Sequence, residues 1–229
     1  QSLVFTTYAT LQAGKNADHD AEVCLLGYDG TGLRYLTDRA DAQSMAGSIT
    51  DDAQTIFFNS NLVSGAGNSD RNYELWKIDR LGNNLTAVTN STSSAGWGLP
   101  FVSGGGGRIA VSSLGDNVAG GNADFSEELF VLGSDGSGLR QLTSSIVANA
   151  IQPALVAGGN EVVFVSDDDP FGTNPYRIRQ LFRSTTTGSD LRQLSQFVDN
   201  GGVYRGPEAS GSGNVLSFSV TESTGILQL

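Results

Sequence analysis

An all-β fold built from repeats is what this chain predicts, on three observations. A strand-like apolar segment ends four times in nearly the same phrase: Asp29-Gly-Thr-Gly-Leu-Arg-Tyr-Leu-Thr37 returns as Asp135-Gly-Ser-Gly-Leu-Arg-Gln-Leu-Thr143, and weaker copies end at Thr89 and Ser195. The anchoring leucines, Leu33, Leu85, Leu139 and Leu191, lie 52, 54 and 52 residues apart. No window of useful length carries helical periodicity, whereas short apolar runs bounded by Gly, Asn and Asp recur throughout. A unit of this period cannot bury its apolar face alone and must stack on its neighbours.

Each unit divides into four segments, A to D. Segment A is marked by Pro100, Pro153 and Pro207, spaced 53 and 54 residues apart, with Gly47 in the slot 53 residues before Pro100; these residues are expected to open the units. Segment B is an unalternated apolar run, Ile56-Phe57-Phe58, Ile109-Ala110-Val111, Val162-Val163-Phe164-Val165 and Val215-Leu216-Ser217-Phe218. That pattern suits a strand covered on both faces. The chain opens in the same register, at Leu3-Val4-Phe5. Segment C reads Val23-Cys24-Leu25-Leu26, Leu75-Trp76-Lys77-Ile78, Leu129-Phe130-Val131-Leu132 and Leu181-Phe182. Segment D is the repeated phrase, with Arg34, Arg140 and Arg192 in one slot, and a charge there suits an outer edge that must not pair with foreign strands. Asp-Gly between C and D signals a tight hairpin, because both residues tolerate positive φ.

Four strands per unit with this period fit either a propeller or a wound solenoid. Solenoid coils run shorter, at roughly 20 to 30 residues, so the propeller is preferred. The stretch Glu128-Leu-Phe-Val-Leu-Gly-Ser-Asp-Gly-Ser-Gly-Leu-Arg-Gln-Leu-Thr143, and Pro153 ahead of Val162-Val163-Phe164-Val165-Ser166, resemble the WD40-like (PD40) repeats of TolB-type β-propellers. The resemblance covers nearly the whole chain. It departs in segment A, where the usual Ser-Pro-Asp-Gly turn is only echoed by Thr50-Asp51-Asp52-Ala53 and by the glycines from Gly104 to Gly107. The fold class is thus an all-β propeller of four-stranded antiparallel blades, read as one domain over residues 1–229 with units ending near 37, 89, 143 and 195. The chain starts at B and ends after a further A, B and a remnant, Thr224-Gly-Ile-Leu-Gln-Leu229, readable as a shortened C or as D reached through a deletion. The count is about four to five blades, either a compact ring or part of a larger propeller.

Twenty-four acidic against 13 basic residues, a formal charge of −11, exclude nucleic-acid backbones and anionic membranes as partners, since both demand a cationic footprint. The apolar runs are strand-sized, so no membrane insertion is expected. Gln1 leading directly into a strand, with low Lys and abundant Gly, Ser, Thr and Asn, reads as an exported bacterial protein with its signal removed. The resemblance implies the periplasm or the cell exterior.

Most enzyme chemistries lack their residues. There is no Gly-x-Ser-x-Gly elbow, and a single histidine, His19, cannot build a histidine metal cluster. Cys24 falls in the slot of Trp76, Phe130 and Phe182 and is expected to be an inert core thiol. His19 shares its slot with Arg71, Phe125 and Arg177 and is expected to be a solvated loop residue. Catalytic residues are therefore assigned to none. A carboxylate pair acting on extracellular carbohydrate stays as the alternative, because glycosidase chemistry needs only two acids.

The sharpest constellation lies in the long B–C connections. These carry Asn16-x-Asp18-x-Asp20-x-Glu22, Asn68-x-Asp70-x-x-x-Glu74 and Asn122-x-Asp124-x-x-x-Glu128, then a degraded Asn174-Pro-Tyr176 with Gln180. Oxygen ligands at alternate positions are what a Ca²⁺ loop supplies, so Asn16, Asp18, Asp20, Glu22, Asn68, Asp70, Glu74, Asn122, Asp124 and Glu128 are the candidate metal ligands. Asn and Asp also form turns on their own backbone, and this reading is preferred, with no cofactor required. The B–C loops should gather on one propeller face, with Tyr8, Tyr73, Phe125, Phe171 and Tyr176 as candidate binding residues. The functional expectation is a non-catalytic scaffold that binds a protein partner or assembles with itself.

Overall fold

The computed structural model describes residues 1–64, 68–198, 201–210, 215–221 and 227–228. Its strands form five antiparallel sheets in chain order. The first holds β1 (Ser2–Thr7), β2 (Glu22–Gly27) and β3 (Arg34–Tyr35); the second β4 (Ser44–Ile49), β5 (Thr55–Ser60), β6 (Glu74–Asp79) and β7 (Thr86–Ala87). The third holds β8 (Phe101–Val102), β9 (Arg108–Ser113), β10 (Glu128–Gly133) and β11 (Arg140–Gln141); the fourth β12 (Ala150–Val156), β13 (Glu161–Ser166), β14 (Gln180–Thr185) and β15 (Arg192–Gln193). The fifth holds β16 (Gly202–Ala209), β17 (Leu216–Thr221) and β18 (Leu227–Gln228). These are propeller blades. Among the described residues the first lacks strand A and the last lacks strand D. The final remnant takes the C position, since Val220 and Thr221 of β17 face Gln228 and Leu227. Residues 224–226 and 229 lie outside the described residues.

The cores sit between blades, which is why strand B shows no alternation. Ile56 and Phe58 of β5 pack with Val23, Leu25 and Leu36 of blade 1, whereas Phe57 packs with Ile109, Val111 and Phe130 of blade 3. Successive residues point to opposite faces of a strand, and here each face meets a different blade. The same division recurs in β13, where Val162 and Phe164 join blade 3 and Val163 and Val165 join Val203 of blade 5.

Pro100 opens its unit, directly ahead of β8, but Pro153 and Pro207 do not open theirs. Strand A starts three residues before Pro153 and five before Pro207, and both prolines sit where the register to strand B shifts, as does Gly47 in β4. A bulge leaves a residue outside the ladder, so a proline costs no hydrogen bond there. Gly47 is needed for close approach, because a Cβ at that position would lie 2.4 Å from the Pro100 carbonyl oxygen of the next blade.

Cys24 is fully buried in the slot of Trp76, Phe130 and Phe182, as the period predicts. Its cross-strand partner is Tyr35, where Trp76 faces Ala87, so the small and large residues have exchanged strands. The exposed strand D carries its arginines outward, and two of them also latch blades together. Arg34 Nη1 donates to the Leu81 carbonyl of blade 2 at 3.3 Å, and Arg140 Nη1 to the Thr187 carbonyl of blade 4 at 3.3 Å. Between blades 2 and 3 Lys77 Nζ does the same to the Ser134 carbonyl at 3.0 Å.

Candidate functional site

The B–C loops and the D–A connections share one end of the blades, and this end carries the repeated hairpin. Asn16, Asn68, Asn122 and Asn174 each donate a side-chain amide to the carbonyl four residues on: Asp20 at 2.9 Å, Asn72 at 2.9 Å, Ser126 at 2.8 Å and Ile178 at 2.8 Å. The residue just before that carbonyl-bearing one is left-handed in every copy, with φ of 60° at His19, 55° at Arg71, 58° at Phe125 and 53° at Arg177. An asparagine clamping a carbonyl across a left-handed residue is a turn built from side chain and backbone together. His19 stays exposed, with Nδ1 3.2 Å from the Tyr8 carbonyl oxygen.

The glutamates that close each motif are buried at the start of strand C and cap the end of strand D. Glu74 accepts hydrogen bonds from the Thr89 hydroxyl, from Ser91 N–H at 2.6 Å and from the Ser91 hydroxyl at 2.9 Å. Glu128 accepts from the Thr143 hydroxyl, Ser145 N–H at 2.6 Å and the Ser126 hydroxyl at 3.0 Å. Glu22 accepts from Arg39 N–H at 2.7 Å. In blade 4 Gln180 takes the role, accepting from the Ser195 hydroxyl at 2.7 Å and Phe197 N–H at 2.9 Å. The Thr or Ser ending each repeated phrase also accepts a strand C N–H, from Val23, Leu75, Leu129 and Leu181. This explains the phrase's recurrence: its last residue ties D to C. Burial raises the carboxyls of Glu22 and Glu128 above the ordinary carboxylate range, against the hydrogen bonds that lower them.

Among the candidate metal ligands, Asp18 Oδ1 lies 3.5 Å from Asp20 N–H, Asp124 Oδ1 accepts from the Ser126 hydroxyl at 3.3 Å, and Asp70 is exposed. Among the described residues, buried oxygens without a partner remain at Asn16 Oδ1 and Asn68 Oδ1, whereas the Glu22 carboxylate has the Thr37 hydroxyl as a partner. Among the described residues no three His, Cys, Asp or Glu side chains converge as a metal site requires.

Of the candidate binding residues, Tyr8, Phe125, Phe171 and Tyr176 are exposed. Tyr73 is half-buried, its hydroxyl donating to Gln43 Oε1 at 3.1 Å, and burial raises its phenol's pKa, with the Tyr8 phenol close enough to add to the shift. Phe125 stands out. It is 60% exposed and left-handed in a slot that holds polar residues elsewhere. Its neighbour Ser126 donates to the Ser145 carbonyl at 2.8 Å, which brings the following Ile146 and Val147, 81% and 65% exposed, beside the Phe125 loop. Sequence reasoning missed this pair; its signal was two adjacent apolar residues in an otherwise polar D–A connection. Hydrogen bonds from Glu127 N–H to Asn149 Oδ1 and from Asn149 N–H to Asp167 Oδ1, at 3.1 and 2.8 Å, carry the same surface toward the blade 4 loop.

No family model matches the sequence, and no curated protein matches it. Solved structures do. A TolB assignment from Agrobacterium tumefaciens superposes with a TM-score of 0.59 at 17% identity, covering 85% of this chain and 61% of that one. Oligogalacturonate lyase from Vibrio parahaemolyticus gives 0.57 at 10%, covering 90% and 59%, and Kuenenia stuttgartiensis hydrazine synthase 0.63 at 12%, covering 97% and 35%. The chain spans about three fifths of the first two. At these identities the likeness concerns the fold, and the fold is that of a TolB-like β-propeller.

Proposed function

We propose that the chain is an exported, periplasmic or extracellular, binding or assembly scaffold without chemistry of its own, using the B–C loop end for a protein partner or for a second copy. The observation that carries this reading is Phe125. An L residue in the left-handed region is strained, and the sibling slots show that the turn forms with His or Arg, so the fold has no need of an exposed phenyl ring there. Exposed aromatic residues beside aliphatic ones, on loops fixed by a rigid frame, are how partners are anchored. Calcium is not required in this reading, because the asparagine amides and the glutamate carboxylates already serve the turns. The export assignment rests on composition and on the TolB-like fold.

Phe125→Arg tests it, since Arg71 and Arg177 show that the hairpin tolerates the change. Self-association by sedimentation, and retention of exported proteins from the source cells on the immobilised chain, should both be compared with the parent. Loss of association or of a retained protein in the variant is the expected result. Identical behaviour of the two chains would overturn the assignment of this face.

A further inference from the structure

At the opposite end, where the A–B and C–D turns lie, the clefts between blades repeat with the same period but differ in charge. The cleft between blades 2 and 3, about 610 Å³, is lined by Thr55, Lys77 and Thr86 together with Asp51, Asp52 and Asp79. Between blades 3 and 4 a cleft of about 540 Å³ is lined by Arg108 and Arg140, in the slots of Thr55 and Thr86, with Ser134, Thr186 and Thr187 around them. One blade further on, those slots hold Glu161 and Arg192, and there Arg183 meets Glu161 at 3.3 Å and Asp190 at 2.9 Å, while Arg192 meets Asp190 at 2.9 Å.

In the blade 3–4 cleft two arginines line one space, and neither has an ion pair among the described residues. Arg108 Nη1 donates to Thr186 Oγ1 at 2.8 Å and Arg140 Nη1 to the Thr187 carbonyl at 3.3 Å. Each guanidinium has five N–H donors, so most remain available. The one carboxylate on the lining, Asp135, is held in its own turn by Ser137 N–H at 3.0 Å and the Ser137 hydroxyl at 2.6 Å. Two like charges on one lining repel each other, which an anion between them would relieve, and the preceding blade shows that the fold accepts threonine at both slots.

We propose that this cleft binds a small oxyanion, a phosphate or carboxylate group, through Arg108 and Arg140 with hydroxyls alongside. Guanidinium forks match such groups in charge and geometry. The site is separate from the B–C loop face and does not depend on its reading.

The test is titration calorimetry of the whole chain with inorganic phosphate and, in a second arm, succinate, each against chloride at matched ionic strength. At least one anion should bind with a Kd near or below about 1 mM. Arg108→Thr/Arg140→Thr should weaken it at least about tenfold while Arg192→Ala, whose guanidinium is paired with Asp190, leaves it unchanged. The arm that binds identifies the group. Should the double variant lose the native circular dichroism spectrum, Arg140→Thr alone, on the exposed strand D, serves as the comparison. Absence of binding in both arms, or equal binding by the arginine variant, would overturn the site.

Discussion

Phe164 and Phe218 occupy the same slot of strand B one repeat apart, yet the first is 2% exposed and the second 38%. β13 is buried along nearly its whole length and β17 is not. Val163 and Val165 of β13 are replaced by Ser217 and Ser219 in β17, but the phenylalanine is kept, so its own exposure reflects what packs on it. In blade 4 both faces of strand B meet a neighbouring blade, and the stacked ring of Phe182, 5.8 Å from that of Phe164, completes the packing. β1 shows the same loss at the other end, with Leu3 53% exposed. A repeat's stability therefore depends on its neighbours as much as on its own residues.

The largest expected effect is at the better-packed member of the pair. Phe164→Ala should cost about 3–5 kcal/mol, from lost burial and the cavity left behind, and Phe218→Ala about 1–2 kcal/mol for the smaller area. Denaturant titration measures both; equal losses would erase the distinction between central and terminal blades. Cys24 sharpens it from the other side, since β2 belongs to a terminal blade but is covered by β1 and β3. Its thiol, pushed up to about 12 by burial, should react with a thiol reagent at least about a hundredfold slower than in denaturant.

A third test uses pH. Folding raises the Glu128 carboxyl, so its contribution is fully present below the unfolded pKa and is lost as pH rises through the folded one. Asp29, Asp79 and Asp135, lowered by hydrogen bonds in the C–D turns, run oppositely: their contribution is present above the unfolded pKa and lost as pH falls through the folded one. Glu128→Gln, the residue blade 4 carries as Gln180, should therefore gain stability relative to the parent as pH rises from about 4 to 7. A constant difference across that range would argue against burial as the cause. Arg192→Ala should change stability by less than about 0.5 kcal/mol, because among the described residues the exposed Arg192 binds its own turn through Asp190, whereas Arg34 and Arg140 latch the next blade. The smallest effect expected is from calcium. With the hairpins acting as turns, chelator should leave Tm unchanged; a rise on adding calcium would favour a metal in the first two copies, where Asn16 Oδ1 and Asn68 Oδ1 have no partner among the described residues.

By itself the sequence determined the repeat, its four segments, the slots equivalent from blade to blade and the burial of Cys24, because each follows from local periodicity and from slots that recur at 52 to 54 residues. It also carried the hairpin, since asparagine, the left-handed slot and the C-strand Glu or Gln are close in the chain. What the prolines do, where each strand B face points, which arginines latch a neighbour and which two are left facing an open cleft were decided by the tertiary structure. Those properties join residues of different blades: Arg108 and Thr186 are 78 positions apart. Exposure of Ile146 and Val147 likewise depends on how a connection crosses the blade end. Periodicity identifies equivalent positions, but the neighbours that make equivalent positions unequal are set only when the blades pack.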